Sequence, residues 1–166
     1  MTDVHFALER AEHPLDVLER LASLNEWSFD RADDDEMSVS VAGSWAQYHV
    51  AFTWIADVEA LHVACAFDLK VPDRRRTEMM QLVSLINEQM WLGHFDLWKA
   101  ENVIMYRHGL LLAGGAEPTP GQCEVLMKTA VNACERYYQA FQFLLWAGKS
   151  AKEALDSVLF ETQGHA

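Results

Sequence analysis

Apolar residues return at two different periods along this chain, and the switches between them divide it into elements. Leu15, Leu18, Leu21 and Leu24 recur at helical spacing behind His13-Pro14, with Asp16 and Glu19 early, where the positive end of a helix dipole favours acids. Residues 1–12 either extend that helix or fray from it. Trp27 to Ala32 begins an extended segment, and Asp33, Asp34, Asp35 and Glu36 form an acidic turn. From Met37 the period falls to two. Met37, Val39 and Val41 alternate with Ser38 and Ser40. Tyr48, Val50, Phe52 and Trp54 then alternate with Gln47, His49, Ala51 and Thr53, and Leu61, Val63, Cys65, Phe67 and Leu69 with His62, Ala64, Ala66 and Asp68. These read as an antiparallel meander. Pairing Trp54 with Leu61 sets His62 opposite Thr53 and His49 opposite Ala66.

The helical period returns with Met79, Val83, Ile86 and Met90, in a helix that Pro72 opens and Gly93 closes. A hairpin follows: Phe95 and Leu97 oppose Trp98, Glu101-Asn102 turns the chain, and Ile104, Tyr106, His108, Leu110 and Leu112 face away from Val103, Met105, Arg107, Gly109 and Leu111. Thr119-Pro120-Gly121-Gln122 is a capping box that opens a long helix from Pro120 to Ala147. Its stripe of Cys123, Met127, Ala130, Cys134, Tyr137, Phe141 and Leu144 is a heptad seam, buried either within one subunit or between two. Gly148 ends it. Ser150 to Glu153 caps a last helix bearing Leu155, Val158 and Leu159, and Gln163 to Ala166 is expected to be disordered. The predicted order is α-β-β-β-α-β-β-α-α. Strands clustered between helices, without regular one-to-one alternation, predict an α+β fold in which helices pack on a twisted five-stranded antiparallel sheet, in one domain over residues 1–166.

Composition narrows the function classes. A chain of 166 residues that is 51% hydrophobic, with six tryptophans, can bury a full core without metals or disulfides. Its 13 basic against 25 acidic residues give a formal charge of -12, which repels phosphate backbones and anionic lipid and argues against nucleic-acid or membrane partners. Three cysteines without CxxC spacing, and an amino terminus without a signal peptide's basic and apolar regions, predict reduced thiols in a cytoplasmic protein.

Candidate chemistry is sparse. None of the seven histidines stands in HxxxH or HExxH spacing, so no metal site is expected. Cys123 and Cys134 lie roughly 16 Å apart along their helix, too far to bridge, and no base neighbours Cys65 in sequence. The acidic turn lacks the glycine and distal glutamate of an EF-hand loop. GxGxxG, GxxxxGK[ST] and GxSxG are all absent, so neither cofactor nor catalytic residue is predicted. Two features suggest recognition. Arg74, Arg75 and Arg76 form the one basic run, at a helix start whose dipole disfavours them, so acidic side chains, a phosphate or an acidic peptide must offset their charge. Trp45, Trp54, Trp91 and Trp98 cannot all be placed in a core by the alternation, unless helices cover both sheet faces; exposed, they mark an interface.

The meander ending in DLKVP, the helix carrying LINEQMWLGHFDLW and the hairpin ENVIMYRHGLLL resemble the YbjN-domain family of bacterial sensory transduction regulators, over about Leu15 to Leu145. Asn87, Gly93-His94-Phe95 and Tyr106-Arg107 carry most of that resemblance. It implies a fold like that of type III secretion chaperones, commonly dimeric, and supplies no catalytic residue. The resulting expectation is a non-enzymatic domain, homodimeric, that holds a segment of a partner protein as a regulator or chaperone. The expected surface comprises Trp45, Trp54, Arg74, Arg75, Arg76, Asn87, Trp91, His94, Trp98 and Arg107. The competing expectation is a small-ligand sensor or an enzyme, with a pocket between the central helix and the sheet near Asn87, His94 and Arg107.

Overall fold

The computed structural model describes residues 10–163. Their order is α1 (Pro14–Leu24), β1 (Ser28–Asp33), β2 (Glu36–Ala42), β3 (Gln47–Ile55), β4 (Ala60–Lys70), α2 (Arg76–Asn87), β5 (His94–Trp98), β6 (Val103–Leu111), α3 (Pro120–Trp146) and α4 (Ala151–Gln163), with a 3-10 turn before β4 and another before α2. Arg10, Ala11 and Glu12 precede the first helix without joining it, and Gln163 is helical. The expectations for residues 1–9 and 164–166 fall outside the described residues.

The antiparallel sheet has six strands rather than five, in the order β1-β2-β3-β4-β6-β5. The additional strand is β1, whose sequence SFDRAD carries a single large apolar residue, Phe29. An edge strand pairs on one side only, so it needs little burial and shows little alternation. Its short length, its charges and a register shift between Arg31 and Asp33 also protect that edge from pairing with other chains. The inner register follows the alternation: Trp54 pairs with Leu61, Thr53 with His62 and His49 with Ala66.

One sheet face is covered. Tyr48, Val50, Phe52, Leu61, Val63, Cys65, Phe67, Phe95, Ile104 and Tyr106 point into it and are at most 2% exposed. α1 packs over β1 to β3, α3 over β3, β4 and β6, and α2 beside β5, while α4 lies on α2 and α3. All seven seam positions of α3 are buried within this subunit. That seam is therefore spent on the sheet and the neighbouring helices, and it gives no reason for a dimer. Phe67 and Phe95 sit at the centre, each meeting Phe141, with Tyr48 and Tyr138 around the first and Tyr106 and Tyr137 around the second. All of these pairs but the tilted Phe67–Phe141 meet edge to face, an arrangement that adds about 0.5–1.5 kcal/mol per pair beyond the area buried.

Caps fix the helix ends. The His13 imidazole accepts from Leu15 N–H, and Thr119 and Gln122 exchange the reciprocal bonds of a capping box. None of the helices among the described residues is long and apolar enough to cross a membrane.

Candidate partner-binding surface

The free margin at the other end of the sheet is β5, and one side chain governs it. Asn87, the last residue of α2, donates from Nδ2 to the Phe95 carbonyl at 3.1 Å and accepts the Phe95 N–H at Oδ1 at 2.8 Å. Its amide thus occupies the outward donor and acceptor of Phe95 as a neighbouring strand would. In an antiparallel ladder outward-facing residues alternate, so Leu97 presents the next such pair. Above this edge lies an open recess of about 310 Å³, between Arg76, Met80 and Ser84 of α2 and Phe95 and Leu97 of β5. Beneath it, Met79, Leu82 and Ile86 are fully buried, so the space between α2 and the sheet is packed.

The uncovered sheet face carries a polar cluster across three strands. Arg107 on β6 places Nε 3.3 Å from Nε2 of His62 on β4 and Nη1 3.3 Å from Oδ2 of Asp96 on β5. Nε2 of His94 lies 3.6 Å from the same Asp96 oxygen. Partial burial, and then the Arg107 charge, hold His62 below the usual histidine pKa. Trp98 stands on this face at the end of β5, 46% exposed.

A third feature lies at the other end of β5. The loop between α2 and β5 raises Trp91, 98% exposed, beside Leu92, 51% exposed. Gly93 makes that loop possible: its φ is +72°, and a Cβ there would fall 2.3 Å from the Tyr106 hydroxyl oxygen. That hydroxyl donates to the Leu92 carbonyl at 3.0 Å. Next to the loop runs an apolar groove of about 490 Å³ between β6 and the first turns of α3, walled by Leu92, Leu110, Val125 and Leu126 over His108 and Thr129.

The remaining expected residues are scattered. Trp45 is exposed in the β2–β3 turn, far along the sheet from β5. Trp54 is 9% exposed, faces α1 and lies beneath the guanidinium of Arg10, 4.6 Å from its ring centre. The arginine run divides. Arg75 donates to the Leu144 carbonyl at the end of α3 at 2.6 Å and pairs with Glu78 at 2.8 Å, Arg76 donates to Asn102 Oδ1, and Arg74 is exposed. Asn87 and His94 border the recess, whereas Arg107 stands on the uncovered sheet face. Leu92, Val125 and Met80 are surface features that the sequence reading passed over. The signal at Val125 was available: it falls off the α3 seam, on the helix's outer side.

Reactive chemistry is correspondingly quiet. Cys65, Cys123 and Cys134 are free and buried. Burial pushes the Cys123 thiol up to about 11 and the Cys134 thiol well above its usual range, where the nucleophilic thiolate is scarce. Among the described residues no group of three or more histidine, cysteine, aspartate or glutamate side chains is placed to hold a metal ion.

Residues 14–143 match a family model described as "YbjN: Putative bacterial sensory transduction regulator". Among solved structures, YbjN, "a putative transcription regulator from E. coli", superimposes with a TM-score of 0.51 and 12% identity, covering 91% of this chain and 92% of that one. The ExsC-ExsE complex gives a TM-score of 0.47 and 15% identity, covering 73% of this chain and 90% of that one. No curated protein matches the sequence.

Proposed function

This chain belongs to the YbjN family, and from that premise we propose that it is a non-enzymatic, cytoplasmic protein-binding domain that holds an apolar segment of a partner in a regulatory or chaperone-like role. The observation that carries this reading is the margin of β5. There the outward backbone groups of Leu97 adjoin an open recess walled by Met80 and Ser84, with Trp98 at the end of the same strand. An extended segment laid along that margin would gain main-chain hydrogen bonds at Leu97 and seat an apolar side chain in the recess, the usual logic of strand addition. The Asn87 amide limits how far such a segment can pair. The net charge of -12 supports a protein partner over a nucleic acid. The packed space beneath the recess favours surface recognition over an enclosed ligand pocket. The domain acts as a homodimer in this reading, supported by the quantity of large apolar side chain left at its surface.

The test is affinity capture with the wild-type chain and with a Met80→Glu, Trp98→Ser variant whose thermal melt is unchanged. A reproducible protein partner, retained by the wild type and lost by the variant, is the expected result. Capture of nothing reproducible, or equal capture by both, would overturn the reading.

A further inference from the structure

We propose that the apolar groove between β6 and α3 receives Trp91 from a second copy of this chain, so that two copies join through a reciprocal tryptophan-in-groove contact. The proposal rests on the reading above that the domain acts as a homodimer, and it names the surface through which the two copies meet.

Four observations converge. First, Trp91 is 98% exposed, although an indole offers about 150–250 Å² of surface for burial. Its loop is nevertheless braced, because the Tyr106 hydroxyl holds the Leu92 carbonyl and Gly93 permits the close approach. A braced loop loses little backbone freedom on binding, so only the two side-chain torsions of the indole are left to order, which suits an interface anchor. Second, the groove beside it has a volume of about 490 Å³ and walls of Leu92, Leu110, Val125 and Leu126, enough for an indole.

Third, knob and groove share a wall: Leu92 adjoins Trp91 in the chain and lines the groove. A two-fold axis through this patch therefore carries each tryptophan to the other copy's groove, making the patch self-complementary. A foreign partner need match only one of these two features. A second copy has both.

Fourth, the electrostatics permit like to meet like. Two chains of net charge -12 repel, yet none of the groove-lining residues is an acid, a lysine or an arginine. Burial, and then the neighbouring His94, lower the pKa of His108 and so favour its uncharged ring, and Glu124 and Lys128, which stand on either side of Val125 in the α3 sequence, pair with each other at 2.6 Å. Two indoles and the walls they cover account for on the order of 800 Å². Val125 and Leu92 are among those walls, so the total stays below the size of specific, stable interfaces and in the range of transient ones. The expected dimer is thus weak and exchanging.

Light scattering of the purified full chain across a concentration series should show a reversible monomer–dimer equilibrium. Trp91→Ala removes the knob and Val125→Glu charges the groove; each should raise the dissociation constant at least tenfold while circular dichroism and melting stay as in the wild type. A photo-crosslinking benzophenone amino acid at position 91 should then join two copies, with the linked peptide spanning residues 119–129 or 108–110. A monomer at every concentration, a dimer indifferent to both substitutions, or a crosslink mapping elsewhere would overturn the proposal. A wild-type monomer that still captures a partner through Met80 and Trp98 would sink this interface and the homodimer with it, and leave the capture of a partner segment at the β5 margin standing.

Discussion

Asn87 does with one amide what a seventh strand would do along a whole edge. Its donor and its acceptor are both engaged by Phe95 across the turn that ends α2, so the side chain couples the helix to the strand and blocks one pairing position. Asn87→Ala leaves the Phe95 N–H and carbonyl to partial hydration and should cost about 1–2 kcal/mol in chemical denaturation. Asn87→Asp should cost at least as much at neutral pH, since a carboxylate cannot donate and would face a carbonyl oxygen. Equal stability of all three proteins would show that the amide is incidental. The resemblance marked Asn87 as distinctive, but this duty was not readable from the sequence, because a bond spanning eight residues over an irregular turn leaves no periodic trace.

At the scale of elements, the arginine run shows how a local cost is met from a distance. Arg75 stands at the start of α2, where the dipole disfavours a cation, yet its guanidinium reaches the Leu144 carbonyl in the last turn of α3, where the dipole favours one. Arg75→Ala should therefore destabilise the protein by about 1.5–3 kcal/mol, the range for a charge-assisted hydrogen bond. Arg74→Ala should stay within about 0.5 kcal/mol of wild type. Thermal and urea melts of the two variants separate these roles, and equal effects would refute the assignment. Sequence pattern disclosed the elements that obey a period or a cap: the β3–β4 register, the capping box of α3 and the turn at Asn102 with its φ of +53° all follow from it. It read Trp27 to Ala32 as extended but did not count β1 as a strand of the sheet, because β1 has one strong apolar residue and one neighbour. It also could not place the α3 seam, because a heptad stripe looks the same against a sheet as against a second copy. Trp54 and Trp98 illustrate the same limit: both lie on strands, and only the side on which the helices settle makes one buried and the other exposed.

For the whole molecule, two partly buried histidines tie stability to acidity. His62 and His108 both have pKa values lowered chiefly by burial. The unfolded chain therefore takes up protons at a higher pH than the folded one, and stability falls as pH drops below the ordinary histidine range. Between about pH 7.5 and 5.5 the midpoint of thermal unfolding should decline, and a His62→Gln, His108→Gln variant should flatten that decline. A slope unchanged by the double substitution would place its origin elsewhere.

The one-sided sheet has a consequence for how such a chain can diverge. On β3, Tyr48, Val50, Phe52 and Trp54 are held by a packed layer, while Gln47, His49 and Ala51 between them are open to solvent. Alternate codons along one strand are thus subject to different rules, the first set intolerant of volume change and the second nearly free to drift. A fold built this way can keep its shape while losing most of its shared letters, in keeping with a superposable relative at 12% identity. What a lineage would retain longest is the rhythm of the strand rather than its spelling.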